Sequence, residues 1–459
     1  MTDKPENIVF VVADSLRYDS VMADAREHQG IPYIQEHGTG FRQARSAGSW
    51  TLPATSSMFT GLLPHEHGAT TQTRMIGESL PTLAEKMRDA GYRTVQVTAN
   101  PVTTHIFGLD RGFDRVERIW KTANRRHRAL DTILALATKA RVRRKLFTDT
   151  EDFVMGQMSD DVEAARVWMQ SNADEQFEQS ANIVEEYNRQ GHPVFIFVNL
   201  METHFPYHID ETFKTSQEHF IEKLRELYSL FHYANQTRLV SEKEYVSPDM
   251  LEVLRRRQQE AWRRFAPKAD TFVRRMHEDQ DNLVIFCSDH GDNHGEQGWQ
   301  YHFSNVTDAG NRVPLWILDP GQDEPGTIED RISMRDLYGT ILQRSGVSDD
   351  EGIDLVDEPE RSEPMLESYW YNRDGKTLNK YRFNQFAFLD DDTKYIRRND
   401  KWLSSRIANG HPETTFQTLP DDVDPIEEID VPSERRKALR HQYDHYETFS
   451  RNVLEMNSL

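Results

Sequence analysis

Several short runs of the chain are apolar almost throughout: Asn7–Ala13 (NIVFVVA), Val194–Leu200 (VFIFVNL), Asn282–Ser288 (NLVIFCS) and Val313–Leu318 (VPLWIL). Tyr92–Thr98 (YRTVQVT) is shorter on apolar residues but rich in β-branched ones. Runs of this length and composition predict buried strands. Between them, Leu80–Gly91 (LPTLAEKMRDAG) and Arg335–Ser345 (RDLYGTILQRS) carry helical spacing, the first ending at a glycine. Strands that are apolar on both faces and separated by helices predict an α/β fold with a mostly parallel central sheet covered by helices on both sides. In such sheets, ligands gather at the carboxyl ends of the strands.

Two stretches break the rhythm. Residues 121–189 and 208–281 are long, charged and helical in places, and read as insertions or covering helices. After about residue 362 the pattern changes again. "KYRFNQFAFLDDDTKYIRRNDKWL" predicts a hairpin turning at Asp390–Asp392, followed by an acidic, Pro-rich connector and a helical tail. The expected organisation is a catalytic domain over 1–362 and a small C-terminal α+β subdomain over 363–459.

Composition narrows the partners. With 55 basic and 76 acidic residues the formal charge is −21, which argues against nucleic acid as a partner. Only 14 of the basic residues are lysine; an acidic, lysine-poor surface suits a salt-rich cytoplasm, and biased codon usage explains it equally well. The single cysteine, Cys287, excludes an internal disulfide. The first residues carry no secretory pattern and no apolar run is long enough to span a bilayer, so the expected location is cytoplasmic.

Polar residues fall suspiciously at three strand ends. The first strand runs into Asp14-Ser15, the strand at 194–200 into "METHFPY" with Glu202 and His204, and the strand at 282–288 into "SDHGDNHGEQG". Asp289-His290, with Asp14 from a neighbouring strand, can offer oxygen and imidazole ligands to one cation. A hydroxyl beside that cation becomes a nucleophile near neutral pH. "SWTLPATSSMFTGLLPHEHG" (49–68) supplies Ser49, Thr51, Thr55, Ser56, Ser57 and Thr60. Helix starts favour Ser and Thr as caps in any case, so chemistry alone does not choose among them.

"NIVFVVADSLRYD", "SWTLPATSSMFTGLLPHEHG", "LPTLAEKMRDAGYRT", "METHFPY", "SDHGDNHGEQG" and "RVPLWI" occur in an order that resembles the sulfatase family of the alkaline phosphatase superfamily, over roughly residues 5–350. The resemblance implies a metal site of Asp14, Thr51, Asp289 and His290. Counting back from Thr60-Gly61, it places the nucleophile at Thr51. It also implies that His204 and His302 contact the anionic group or the leaving oxygen. The departures matter as much. Sulfatases carry C/S-x-P-x-R at the nucleophile, which directs oxidation to formylglycine. Here the residues are Thr51-Leu52-Pro53-Ala54-Thr55, so formylglycine is not expected. Ser15 stands where the family has a second aspartate, and the sulfate-gripping lysines are missing from "TANPVTTH".

"T-x-P…TG…P…HG" instead resembles the threonine-nucleophile branches, phosphodiesterases and phosphoglycerol or phosphoethanolamine transferases. The expectation is therefore a metal-dependent hydrolase or transferase of phosphate esters, diesters foremost, acting on a small-molecule or a lipid- or glycan-linked substrate. At least one divalent ion is implied, with manganese or zinc favoured and calcium or magnesium left open. A second ion would draw on Glu202, His204, His294 or His302, which form no complete set. Sulfate-ester hydrolysis without formylglycine and a non-catalytic binding module on the same fold are the alternatives. Arg125–Leu146, basic at both ends and apolar between, suits peripheral contact with an anionic membrane or, more simply, packing on the main domain.

Overall fold

The computed structural model describes residues 7–22, 30–119, 172–204, 207, 248–278, 282–302, 305–322, 324–348, 351–369, 383–407 and 415–456. The basic stretch Arg125–Leu146 lies outside them. Fifteen strands are described among these residues. They are β1 Ile8–Ala13, β2 Thr39–Arg45, β3 Arg93–Thr98, β4 Arg115–Arg118, β5 Val194–Leu200, β6 Leu283–Cys287, β7 Asn293–His294 and β8 Gln300–Tyr301, then β9 Leu315–Leu318, β10 Thr327–Ser333, β11 Met365–Ser368, β12 Gln385–Asp390, β13 Thr393–Arg398, β14 Lys401–Arg406 and β15 Gln417–Thr418. Eight form the central sheet in the order β10-β2-β9-β6-β1-β5-β3-β4. The pairings of β1 with β5 and β6, of β3 with β4 and β5, and of β2 with β10 are parallel. Only β9 runs against its neighbours β6 and β2.

The strands alternate two apolar faces, which is why they read as apolar throughout. On β1, Ile8, Phe10 and Val12 enter one core while Val9, Val11 and Ala13 enter the other. The first core holds Leu52, Met58 and Phe59 of helix α1 (Thr51–Thr60), Leu83 and Met87 of α2 (Leu83–Asp89), and Leu337 and Ile341 of α5 (Leu337–Arg344). The second core is closed by α3 (Ala173–Arg189), through Phe177 and Val184, and by α4 (Pro248–Glu278), through Trp262, Phe265 and Phe272. Those two helices end the long charged stretches of the sequence, so each closing portion is sheet cover. Burying each large apolar side chain contributes roughly 1.5–3 kcal/mol. The predicted helix at 80–91 shortens to α2, because Thr82 and Glu85 form a reciprocal capping box there.

A separate antiparallel sheet, β11-β12-β13-β14-β15, follows in the C-terminal part. The hairpin turns where expected, β12 ending at Asp390 and β13 beginning at Thr393. Phe386, Phe388 and Trp402 pack on Leu439, Tyr443 and Tyr446 of α6 (Ser433–Met456). The opposite face, with Leu366, Ala387, Leu389 and Ile396, packs on Val306 of the main body. Among the described residues no helix is long and apolar enough to cross a membrane.

Candidate active site

β6, β1, β5 and β3 are consecutive neighbours in the sheet. Each continues into a polar residue: β1 into Asp14, β3 by way of Ala99 into Asn100, β5 into the Glu202–His204 turn and β6 by way of Ser288 into Asp289-His290. The parallel arrangement brings these ends to one edge. Ser15 adopts a left-handed φ of 60°, a conformation that disfavours a side chain by roughly 1–2 kcal/mol. The turn aims the Ser15 amide at Asp289 Oδ1 (3.2 Å), while its hydroxyl donates to Asp14 Oδ1 (3.1 Å). Gly291 follows His290 where a Cβ would strike the Ala309 carbonyl, so the chain can pass only as glycine.

Thr51 is the first residue of α1, and the preceding Trp50 offers no side-chain cap. The positive end of the helix therefore faces the site. Thr51 Oγ1 lies 3.3 Å from Asp14 Oδ2 and 3.4 Å from His290 Nε2. Gly48 permits this placement: a Cβ there would lie 2.7 Å from Pro53 Cβ and 2.6 Å from the Ala54 nitrogen. Two other hydroxyls of the stretch are engaged elsewhere. Ser57 meets His67 Nε2 (3.1 Å) and Thr60 donates to the Ser56 carbonyl (2.7 Å). Thr55 and Ser56 are buried without a hydrogen-bond partner.

Asp14, Asp289 and His290 have no exposed surface. Their ligand atoms all fall within 4.8 Å of one another, a spacing that can hold one metal ion. His290 Nε2 is 3.7 Å from Asp14 Oδ1 and 3.5 Å from Asp289 Oδ2. Its Nδ1 faces the Gly291 carbonyl at 3.0 Å, which leaves Nε2 to the cluster. Asp289 Oδ2 has no hydrogen-bond donor. Burial, and then the adjacent Asp14 carboxylate, push the Asp289 carboxyl up to about 7. His290 is pulled down by burial but raised further by Asp289 and Asp14, so that its net shift is upward. Two buried carboxylates, one oxygen without a donor and an imidazole held by its far nitrogen fit a divalent cation.

His204 and His302 lie beside this cluster. The His302 ring centre is 4.6 Å from that of His290 and 5.4 Å from that of His204. His302 Nδ1 meets Asp292 Oδ1 at 2.6 Å. Burial holds His302 down at about 4, against the pull of Asp292. Asp292 is held below the usual carboxylate range; burial opposes this, and His302 outweighs it. His290, Asp292 and His302 also have metal-ligand spacing, yet His290 is already turned to the first group. Glu202 is buried, and His294 is turned to the Tyr207 hydroxyl at 3.1 Å.

Asn100 is the residue that sequence reasoning passed over. Its Nδ2 donates to Asp14 Oδ2 at 2.7 Å and reaches Thr51 Oγ1 at 3.4 Å. Its Oδ1 accepts from the Val102 amide at 2.8 Å, which fixes the amide's orientation. The signal was available: Asn100 stands just past a strand, as Asp14 and Asp289 do.

The mostly parallel α/β sheet thus carries at its carboxyl edge an acidic-imidazole cluster beside a hydroxyl at a helix start. The profile of the sulfatase family matches residues 6–347, and the chain belongs to that family, whose members are metal-dependent hydrolases. A choline-sulfatase of Rhizobium meliloti (strain 1021) is 38% identical over 98 residues, a match spanning 19% of each protein. A phosphonate monoester hydrolase from Silicibacter pomeroyi superposes with a TM-score of 0.56 at 16% identity, covering 96% of this chain and 95% of the other. An alkaline phosphatase superfamily protein from Vibrio parahaemolyticus gives 0.56 at 17% identity, covering 99% and 89%. At these identities the structural likeness speaks for the fold.

Proposed function

We propose that this sulfatase-family protein cleaves phosphate esters, diesters foremost, by a two-step displacement through Thr51. The observation that carries this reading is Thr51 itself: a threonine hydroxyl at a helix start, within 3.4 Å of both Asp14 and His290. Asp14, Thr51, Asp289 and His290 are the residues that would hold a divalent ion, with manganese or zinc suited to the mixed carboxylate-imidazole set. When bound, it would lower the pKa of the hydroxyl and offset charge on the ester's equatorial oxygens. Thr51 Oγ attacks phosphorus in line; the Thr51–O–P bond forms as the bond to the leaving oxygen breaks. Asn100 orients the hydroxyl, and the N-terminus of α1 favours the anionic group. The proton that Thr51 gives up on attack passes to the leaving oxygen, with His204 or His302 available to carry it. Water or an acceptor alcohol then attacks phosphorus and returns Thr51 to its free form.

Sulfate-ester hydrolysis is the second reading, favoured by the local identity to a choline-sulfatase. A sulfo-threonine has no aldehyde-forming collapse to release it, so that turnover should be slow. Paired aryl phosphodiesters and aryl sulfates with the same leaving group, assayed with Mn²⁺, Zn²⁺, Mg²⁺ and Ca²⁺, test the choice. Faster phosphodiester cleavage with a trapped phosphopeptide containing Thr51 supports the first reading. Faster sulfate cleavage, or an adduct on Ser49 or Thr55, overturns it.

A further inference from the structure

Helix α4 turns an apolar stripe of Leu254, Ala261, Trp262, Phe265 and Ala269 to the body of the protein. Gln258 falls within that stripe, four residues after Leu254 and three before Ala261, and is fully buried. A polar side chain there is costly unless its atoms find partners. Gln258 Nε2 lies 2.8 Å from the Ser15 carbonyl oxygen and 3.2 Å from that of Thr203. Two carbonyls facing one atom settle the orientation of the amide: that atom is the NH₂ group, and it donates one proton to each. The amide oxygen has no hydrogen-bond partner among the described residues. An apolar residue would spare that oxygen its burial, so what the position calls for is the pair of donors.

The two carbonyls belong to the turns that close β1 and β5. Ser15 follows Asp14 and holds the left-handed φ of 60°; Thr203 stands between Glu202 and His204. Both residues are fully buried. The turns are laced to one another and to β6. Thr203 Oγ1 donates to the Asp14 carbonyl at 2.7 Å, and the Asp14 amide donates to the Leu200 carbonyl at 2.9 Å. From the β6 side, Ser288 Oγ accepts the Leu16 amide at 2.9 Å and Asp289 Oδ1 the Ser15 amide at 3.2 Å. Each of these bonds joins one strand end to another. Gln258 alone in this set comes from a covering helix, and it spans both turns. A strained turn keeps its shape only while its surroundings hold it, so the aim of Asp14 is tied to where α4 stands.

We infer that Gln258 is a positioning residue that couples α4 to the metal cluster: its NH₂ group holds the Ser15 turn against the Thr203 turn and so aims the Asp14 carboxylate, without touching metal or substrate itself. The inference rests on the assignment of Asp14 to a metal site and not on which ester is cleaved. Partners of this kind, one step behind a ligand, set how well the ligand is preorganised, and their loss weakens metal binding while the ligands themselves remain in place.

The test reads metal affinity in the full chain without substrate. Gln258→Met keeps the length and the apolar stem but has no donor. Its affinity for Mn²⁺, titrated through the EPR signal of the free ion, should fall by about 10–100-fold. Ala269→Gly is the control for stability alone: it weakens the same helix where it faces the second core, away from both turns. It should melt lower in chelator and keep the wild-type Mn²⁺ affinity. Gln258→Asn carries the same amide on a stem too short to reach both carbonyls; it should lose affinity as well, and serves if Gln258→Met does not fold. Wild-type affinity in either Gln258 variant, or an equal loss in Ala269→Gly, overturns the inference. Wild type that takes up neither Mn²⁺ nor Zn²⁺ overturns the metal-site reading, and the inference with it.

Discussion

Replacing Asp289 by asparagine should make the metal-free protein more stable and leave it unable to bind metal. Asp289 is fully buried next to Asp14, and its carboxyl is pushed from 3.8 up to about 7 by burial and then by that neighbour. The native state therefore keeps a proton that the unfolded state has already lost. Stability from this group is full below the unfolded value near 3.8 and falls as pH rises, gone once the folded value near 7 is passed. At about 1.4 kcal/mol per factor of ten, the span from 3.8 to about 7 is worth about 4 kcal/mol at most. An asparagine keeps the oxygen that accepts from the Ser15 and His290 amides and removes the charge. With an unfolding entropy of roughly 2.1 cal/mol/K per residue, 459 residues give about 1 kcal/mol per degree, so the variant should melt about 4 °C above chelator-treated wild type at pH 8. At pH 5 the folded carboxyl is protonated but the unfolded one is ionised, so the gap should narrow to about 1.6 °C and close only toward pH 3.8 and below. Mn²⁺ works against the gap at pH 8: wild type gains about 2.7 kcal/mol at a hundredfold excess over its Kd and about 5.5 kcal/mol at a ten-thousandfold excess, so the order reverses only at the higher excess, and the variant gains nothing. Differential scanning calorimetry at both pH values, with metal analysis, reads all of this. Equal melting temperatures of the two metal-free proteins at pH 8, or one equivalent of Mn²⁺ retained by the variant, would refute the reasoning.

Thr51→Ala should slow phosphodiester cleavage by about a thousandfold or more, about 4 kcal/mol of barrier, whereas Thr55→Ala should keep most of the rate; steady-state assays on one aryl diester decide. Asn100→Ala, which removes the donors to Asp14 and Thr51, should lower activity or metal affinity by roughly 10–100-fold, measured by kcat and Mn²⁺ titration. His65 lies buried against Glu367, at 2.6 Å. Burial pulls its pKa down, but the Glu367 carboxylate outweighs burial and leaves it above 6.5. The stability it contributes is full below that value and is lost as pH rises through the higher folded one. Metal-loaded protein should therefore melt lower as pH climbs above about 7, and Glu367→Gln should flatten that slope.

The sheet was legible because both of its faces are buried, so β1, β5 and β6 carry no polar interruption. The antiparallel course of β9 was not legible, since a short apolar run does not encode its direction. Helix α3 was hidden for a different reason. Its outer face is acidic, and Phe177, Ala181 and Val184 make too narrow a stripe to stand out from a charged stretch. Asp14, Asp289 and His290 were visible as polar residues closing apolar strands. Asn100 closes a strand in the same way, but an amide carries no charge to draw the eye, and its partners are 86 and 49 residues away. The Asp292–Tyr207 contact joins residues 85 apart and depends on a backbone bend that no residue type announces.

The C-terminal sheet bears on Thr51, because it holds the loop that presents it. The Glu367 amide donates to the Ala47 carbonyl at 2.8 Å, and Gly48 bridges to Glu367. Asn311 grips the same loop from the main body through the carbonyls of Ser46 and Gly48. The Glu367 side chain takes the His65 ring and the Tyr369 hydroxyl, the latter at 2.6 Å, so the strand cannot slide without breaking a buried network. A second tie lies nearby. Asp308 receives Lys394 from β13 at 2.7 Å and Arg45 from β2 at 3.0 Å, and Lys394 is fully buried. Removing one member of a buried ion network typically destabilises by about 3–5 kcal/mol. Such ties are out of proportion for a mere appendage. They suit a brace that fixes the start of α1, since a displacement of about 1 Å in a nucleophile can lower its rate on the order of a hundredfold.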